Sequence, residues 1–211
     1  MIDRTGIFER AGKPGFKLAI ELGCGDRKRH PEAVGIDLLD LPSVDIVGEV
    51  AEVLAVLPAG CVERVWSYHF LEHVDDVGAI MRELGRVCAP GAIVDLTVPH
   101  FSNPYYFSDP THRRPFGLYT MCYYCTDHLF SRRVPRYGLD PLFELLNADL
   151  VFKSPPPRYL RYGFKKAVQA IVNSGRWMQE FYEEMLCFVL PCYEVRFVLV
   201  RNDEGGGEKT I

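Results

Sequence analysis

The sequence predicts an α/β domain built on a doubly wound, mostly parallel sheet, and three observations carry that prediction. Short runs rich in Val, Ile and Leu recur through the first hundred residues, amphipathic stretches alternate with them, and most runs stop at a glycine, a proline or an acid. Continuous apolar runs suit strands covered on both faces, which calls for helices above and below the sheet.

The first run, 16–22 (FKLAIEL), stops at Gly23 and Gly25 and reads as a buried strand feeding a glycine turn. AVGID at 33–37 ends in an acid, and VDIVGEV at 44–50 follows a Leu-Pro-Ser break. AEVLAVL at 51–57 has helical composition and is closed by Pro58, Ala59 and Gly60; VERVWSYHF at 62–70 is the fourth strand. Within 75–88, Val77, Ile80, Met81, Leu84 and Val87 fall on one helical face, with Asp75 and Asp76 at the end that favours acids. Ala89-Pro90-Gly91 closes that helix and AIVDLTVP at 92–99 is the fifth strand. From 100 to 138 the pattern dissolves into aromatics, prolines and paired arginines, too long for an ordinary connection and so a functional segment or a lid. Beyond it, 142–152 reads as a helix end and a sixth strand. Residues 164–190 read as two helices broken at Asn173-Ser174-Gly175, 192–202 as the last strand, and 203–211 as a flexible tail.

A chain of 211 residues suits one domain, placed here at 1–202. Apolar residues make up 48% and charged residues 25%, as in globular proteins. A net charge of −4 argues against a broad phosphate-binding surface, so nucleic acid is not an expected partner despite Arg132, Arg133 and Arg136. Seven scattered cysteines lack the density of a stapled secreted domain, which points to reduced thiols and the cytoplasm. No secretory signal is visible at the N-terminus. The most apolar later stretch, MLCFVLPC at 185–192, is far shorter than the roughly 20 residues that span a bilayer.

The densest chemical signal is ELGCGDRKRH at 21–30, an acid followed by Gly-x-Gly, where the backbone can pass close to a ligand. Asp37 then stands at the carboxyl end of the second strand, where a carboxylate can accept both hydroxyls of a ribose. Together they indicate an adenosine-containing cofactor. A dinucleotide fingerprint would place a third glycine at position 28, which is lysine, and a full helix aimed at the pyrophosphate. The link between the two strands leaves no room for such a helix, so a phosphate-free nucleoside is favoured over a nicotinamide cofactor.

These stretches, with VGIDLLD, VDIVGEV, WSYHFLEHV at 66–74 and LGRVCAPGAIVDLTVPH at 84–100, resemble the class I S-adenosylmethionine-dependent methyltransferases, in particular a compact group with an S-x-H-x-L-E-H segment. The resemblance implies a Rossmann-like sheet of seven strands, the last antiparallel, here with a helical insertion at 154–191 before it. It implies that Glu21, Gly23 and Gly25 line the methionine part, Asp37 holds the ribose and Glu49 lies near the adenine, with Cys24 and Leu38 also among the cofactor-binding residues. Ser67 and His69 would sit beside the methionine moiety. The segment PHFSNPYYFSDPTHRRPF at 99–116 resembles an acceptor-site element of some relatives. It makes His100, Asp109 and His112 candidates for catalysis and Tyr105 and Arg113 candidates for substrate binding, with a small-molecule or glycan-type acceptor. A histidine titrating near neutrality suits proton removal from an acceptor. A regulatory module that binds the cofactor without turnover is the alternative from another class.

Plainer readings stand beside these. Asp109-Pro-Thr-His also fits a capped turn, and His69, Glu72 and His73 also fit residues at the start of a helix. Cys122-x-x-Cys125-x-x-His128 lacks the second pair of a zinc site, and a site at His100, Asp109 and His112 is not required by sulfonium chemistry, so no metal is expected. The tyrosine-rich stretch at 105–124 reads as packing. Lys165, Lys166, Arg176 and Trp177 suit a peripheral membrane contact or a homodimer face as well as packing.

Overall fold

The computed structural model describes residues 1–126, 129–139, 141–154 and 156–202, so the tail expected at 203–211 lies outside the described residues. In chain order the elements are β1 (Ile2–Asp3), α1 (Ile7–Ala11), β2 (Leu18–Leu22), β3 (Val34–Asp37), β4 (Ile46–Val47), α2 (Val50–Val56), β5 (Val62–Tyr68), α3 (Val77–Val87), β6 (Cys88–Pro99), β7 (Phe143–Val151), α4 (Tyr159–Val172), α5 (Arg176–Met185) and β8 (Glu194–Arg201). They form one sheet in the order β1-β4-β3-β2-β5-β6-β8-β7. The run from β4 to β6 is parallel, and β8 is antiparallel to both its neighbours.

The apolar runs become strands because both their faces are covered: Ile20, Leu22, Ile36, Ile46, Val65, Val94 and Leu96 are fully buried. The face predicted for 75–88 is the face α3 buries, and Asp76 caps it by accepting the Ala79 amide at 2.9 Å. Two expectations need correction. The sheet has eight strands, because Ile2–Asp3 pairs antiparallel with β4; two residues are too few for alternation to register as a pattern. Residues 143–151 are strand throughout, held as an edge by pairing with β8, with no helix end.

The break between α4 and α5 has a structural task. Asn173 pairs like a strand residue with the edge strand β7, accepting the Leu150 amide at 3.0 Å and donating to the Leu150 carbonyl at 2.8 Å. Gln179 donates to the Ala148 carbonyl at 2.7 Å. The helical segment thereby covers an edge that would otherwise offer unpaired backbone groups.

The chain leaves β2 towards β3 and β4, then returns to β5 on the other side of β2. The connections therefore part at the carboxyl ends of β2 and β5. That is the place where open α/β sheets bind ligands.

Candidate functional site

A cleft of about 810 Å³ opens at this switch point. Gly23, Asp37, Leu38 and Glu49 form one wall; His69, Phe70, His73, Thr111 and Arg113 form the other. Its volume suits a nucleoside-sized ligand.

The glycine turn is dictated by contact. Gly23 has φ 63°, and a Cβ there would lie 2.7 Å from Cβ of Phe70, so only glycine lets the turn pass. Gly25, at φ 58°, donates its amide to Asp37 Oδ2 at 2.8 Å, while Asp37 Oδ1 accepts the Leu39 amide at 2.9 Å. The two loops are thus tied by one carboxylate, which keeps further lone pairs for a ligand. Leu38 and Leu39 are 60% and 58% exposed, an apolar surface beside that carboxylate suited to a flat base.

Across the cleft, His69 adopts φ 54°, a strained conformation for a non-glycine residue. Its Nε2 meets Glu194 at 2.7 Å and its Nδ1 meets Glu72 at 3.2 Å; Lys153 also pairs with Glu194. Burial opposes a charged ring, but the two glutamates outweigh it and push the pKa up to about 9. At neutral pH His69 is therefore an imidazolium clamped between carboxylates, with no lone pair to act as a base.

A second pair of histidines lies beside it. His73 Nδ1 is 2.9 Å from Thr111 Oγ1, whose hydroxyl donates to Asp109 Oδ1 at 2.6 Å; the hydroxyl has one proton, so His73 Nδ1–H must be the donor. His112 Nδ1 donates to the Tyr106 carbonyl at 2.9 Å, and its ring stacks on Tyr106 and meets the edge of His73 at 4.9 Å. Both rings are pinned in the tautomer that leaves Nε2 with its lone pair. Arg113 donates its amide to the Glu72 carbonyl at 2.7 Å and pairs with Asp75 through its guanidinium.

Residues 20–95, from β2 into β6, match the methyltransferase-domain family. That match likens about a third of the chain to a methyltransferase domain. No curated protein matches it in sequence. Its fold is similar to that of a SAM-dependent methyltransferase from Archaeoglobus fulgidus (TM-score 0.53, 13% identity, 94% of this chain and 95% of that one). It is also similar to the YcgJ protein of Bacillus subtilis (0.52, 14%, 94% and 97%). Phosphoethanolamine N-methyltransferase 2 of Haemonchus contortus, solved with S-adenosylmethionine, shares the fold at TM-score 0.51 and 10% identity over 95% of this chain, which spans about half (52%) of that protein. At these identities the structural likeness speaks for the fold alone.

Of the site residues expected from the sequence, Gly23, Asp37, Leu38, Glu49, His69 and Arg113 line the cleft. Other candidates sit elsewhere. Glu21 is buried and spends its carboxylate on the amides of Arg29 and His30, bracing the turn from behind. The Cys24 side chain packs with Val44 and Val47, and burial, with Asp37 and Glu21 nearby, pushes its thiol up to about 12. Ser67 is fully buried on β5.

His100 is fully buried: its Nδ1 accepts the Ser102 amide at 3.1 Å, and its Nε2 is 3.1 Å from Glu183 of α5. Tyr105 lines separate cavities beside α4 with Tyr193. Cys122 and Cys125 are buried, while His128 lies outside the described residues. His73, which the sequence reads rather as a residue at the start of a helix, and Thr111, which it does not single out, both reach the cleft. The signal for the second is Asp109-x-Thr111, an Asx turn that aims the threonine hydroxyl. No helix among the described residues is long and apolar enough to cross a membrane.

Proposed function

We propose that the 810 Å³ cleft binds S-adenosylmethionine and that the protein passes its methyl group to a hydroxyl or amine of a small or medium-sized acceptor, such as a sugar or glycolipid precursor. The observation that carries this reading is the tie between Gly25 and Asp37 at the switch point, which sets a carboxylate and a side-chain-free turn side by side. Gly23 and Gly25 leave space for the amino-acid tail, Asp37 accepts the ribose hydroxyls, and Leu38 with Glu49 bounds the base. Bound there, the cofactor supplies an electrophilic methyl carbon on a sulfonium.

The protein's own part is orientation, exclusion of water and proton handling. Asp37, Glu49, Asp75 and Asp76 make the cleft acidic, which suits a cationic ligand. His69 holds the far wall through its two glutamates and takes no proton. His73, oriented by Thr111 and Asp109, keeps its Nε2 lone pair and is the group best placed to receive an acceptor proton, with His112 directly behind it. Of the segment 100–138, Thr111 and Arg113 face the acceptor, and the helical insertion at 154–191 serves as an edge cover. The seven buried thiols fit a reducing, cytoplasmic setting.

The test is transfer of labelled methyl from S-adenosylmethionine to a panel of sugars, glycolipid precursors and amines, with wild type and Asp37→Ala in parallel. Label in an acceptor with wild type alone supports the proposal. Cofactor binding without transfer to any member of a broad metabolite pool would favour the regulatory module.

A further inference from the structure

Glu72, His73 and His112 each bring one potential ligand atom within 4.8 Å of the other two. Three further observations make the cluster more than a chance meeting of polar groups. Glu72 is fully buried, and while its Oε1 bonds His69, its Oε2 has no hydrogen-bond partner among the described residues. A buried, unpartnered carboxylate oxygen is costly unless something cationic satisfies it. Each histidine is fixed by a bond at Nδ1, His73 to the Thr111–Asp109 relay and His112 to the Tyr106 carbonyl, so each offers Nε2 as a lone pair. Metal-bound histidines are held in this manner, with the other ring nitrogen donating to a carbonyl or towards a carboxylate. Asp109 Oδ2 lies 3.7 Å from His112 Nε2, beyond hydrogen-bond reach, so it does not occupy that lone pair.

We propose that Glu72, His73 and His112 form a site for one divalent transition-metal ion on the acceptor side of the cleft. Two imidazoles and one carboxylate favour a zinc-type ion over magnesium or calcium, which prefer all-oxygen shells. Three protein ligands leave coordination positions open, and His73 and Thr111 place that opening on the cleft wall. Small side-chain rotations must bring the ligand atoms to about 3.3 Å of each other, as ligand bonds of about 2.0–2.2 Å require. An acceptor oxygen or nitrogen would take an open position and, with the ion bound, would lose its proton to solvent rather than to His73, whose Nε2 is then a ligand; that role rests on the methyl-transfer reading, whereas the site itself does not.

The test uses the full chain, freed of any affinity tag, stripped with a chelator and titrated with Co²⁺ and then Zn²⁺. Expected is one equivalent of Co²⁺ with visible d–d absorption, no thiolate charge-transfer band, and displacement by Zn²⁺. His73→Ala and His112→Ala should each weaken binding more than about 100-fold, and Thr111→Val, one shell out, by about tenfold. Circular dichroism checks the fold of each variant. Should either histidine variant fail to fold, the stoichiometry and the missing thiolate band of wild type still decide. Absence of saturable binding, a thiolate band, or unchanged affinity in both folded histidine variants would overturn the site. S-adenosylmethionine is titrated into the same samples: cofactor binding without metal binding sinks this inference alone, and metal binding without cofactor binding sinks the methyl-transfer reading alone.

Discussion

Asp37 Oδ2 accepts the amide of Gly25 at 2.8 Å, so one carboxylate at the tip of β3 fixes the turn that follows β2. Replacing Asp37 by Ala removes both the brace and the acceptor for a sugar diol. Hydrogen bonds to a charged group are worth about 1.5–3 kcal/mol, so S-adenosylhomocysteine affinity should fall roughly 10- to 150-fold in calorimetry. Unchanged affinity would place the ribose elsewhere.

Gly23→Ala tests the same turn from the other strand. The methyl would meet Phe70 at 2.7 Å and the backbone would need a left-handed alanine. A loss of about 1–2 kcal/mol in denaturant unfolding is expected from the conformation alone, with weaker cofactor binding as Phe70 is displaced into the cleft. A variant as stable as wild type would show that the turn adopts another conformation.

How far the sequence leads depends on how local each feature is. The parallel strands and α3 are legible because burial on both faces, or on one stripe, is written in a few adjacent residues. The Gly-x-Gly turn and Asp37 are legible for the same reason. The fate of the histidines is not. His100 is sealed by Glu183, 83 positions away, and His69 is charged by Glu194, 125 positions away. Both partners arrive only when α5 and β8 pack, so no spacing near either histidine announces them. His73 reaches the cleft because Thr111 anchors it from a segment without periodicity.

Asn173 stands in for a strand residue, and its loss should be felt at the sheet edge. Asn173→Ala leaves the amide and carbonyl of Leu150 without these partners. A destabilisation of about 1–3 kcal/mol is expected, read from urea unfolding, with faster amide exchange at Leu150. An unperturbed Leu150 amide would show that α4 and α5 do not secure β7.

Glu180 predicts a pH dependence of stability. Burial raises its pKa, but hydrogen bonds from Ser131, Tyr119 and Arg132 outweigh that and hold it below its ordinary value of 4.5. A carboxyl with a depressed folded pKa stabilises fully above its unfolded pKa and loses that contribution as pH falls through the folded one. The stability difference between wild type and Glu180→Gln should therefore be constant near neutrality and shrink as pH drops below about 4.5. A difference independent of pH down to about 3 would contradict the assignment.

The most direct measurement is a calorimetric titration of the purified protein with S-adenosylmethionine, S-adenosylhomocysteine and NAD under one set of conditions. Saturable one-to-one binding of the two adenosyl ligands, abolished or strongly weakened in Asp37→Ala, with no heat from NAD, is the expected result. Saturable binding of NAD alone would contradict it.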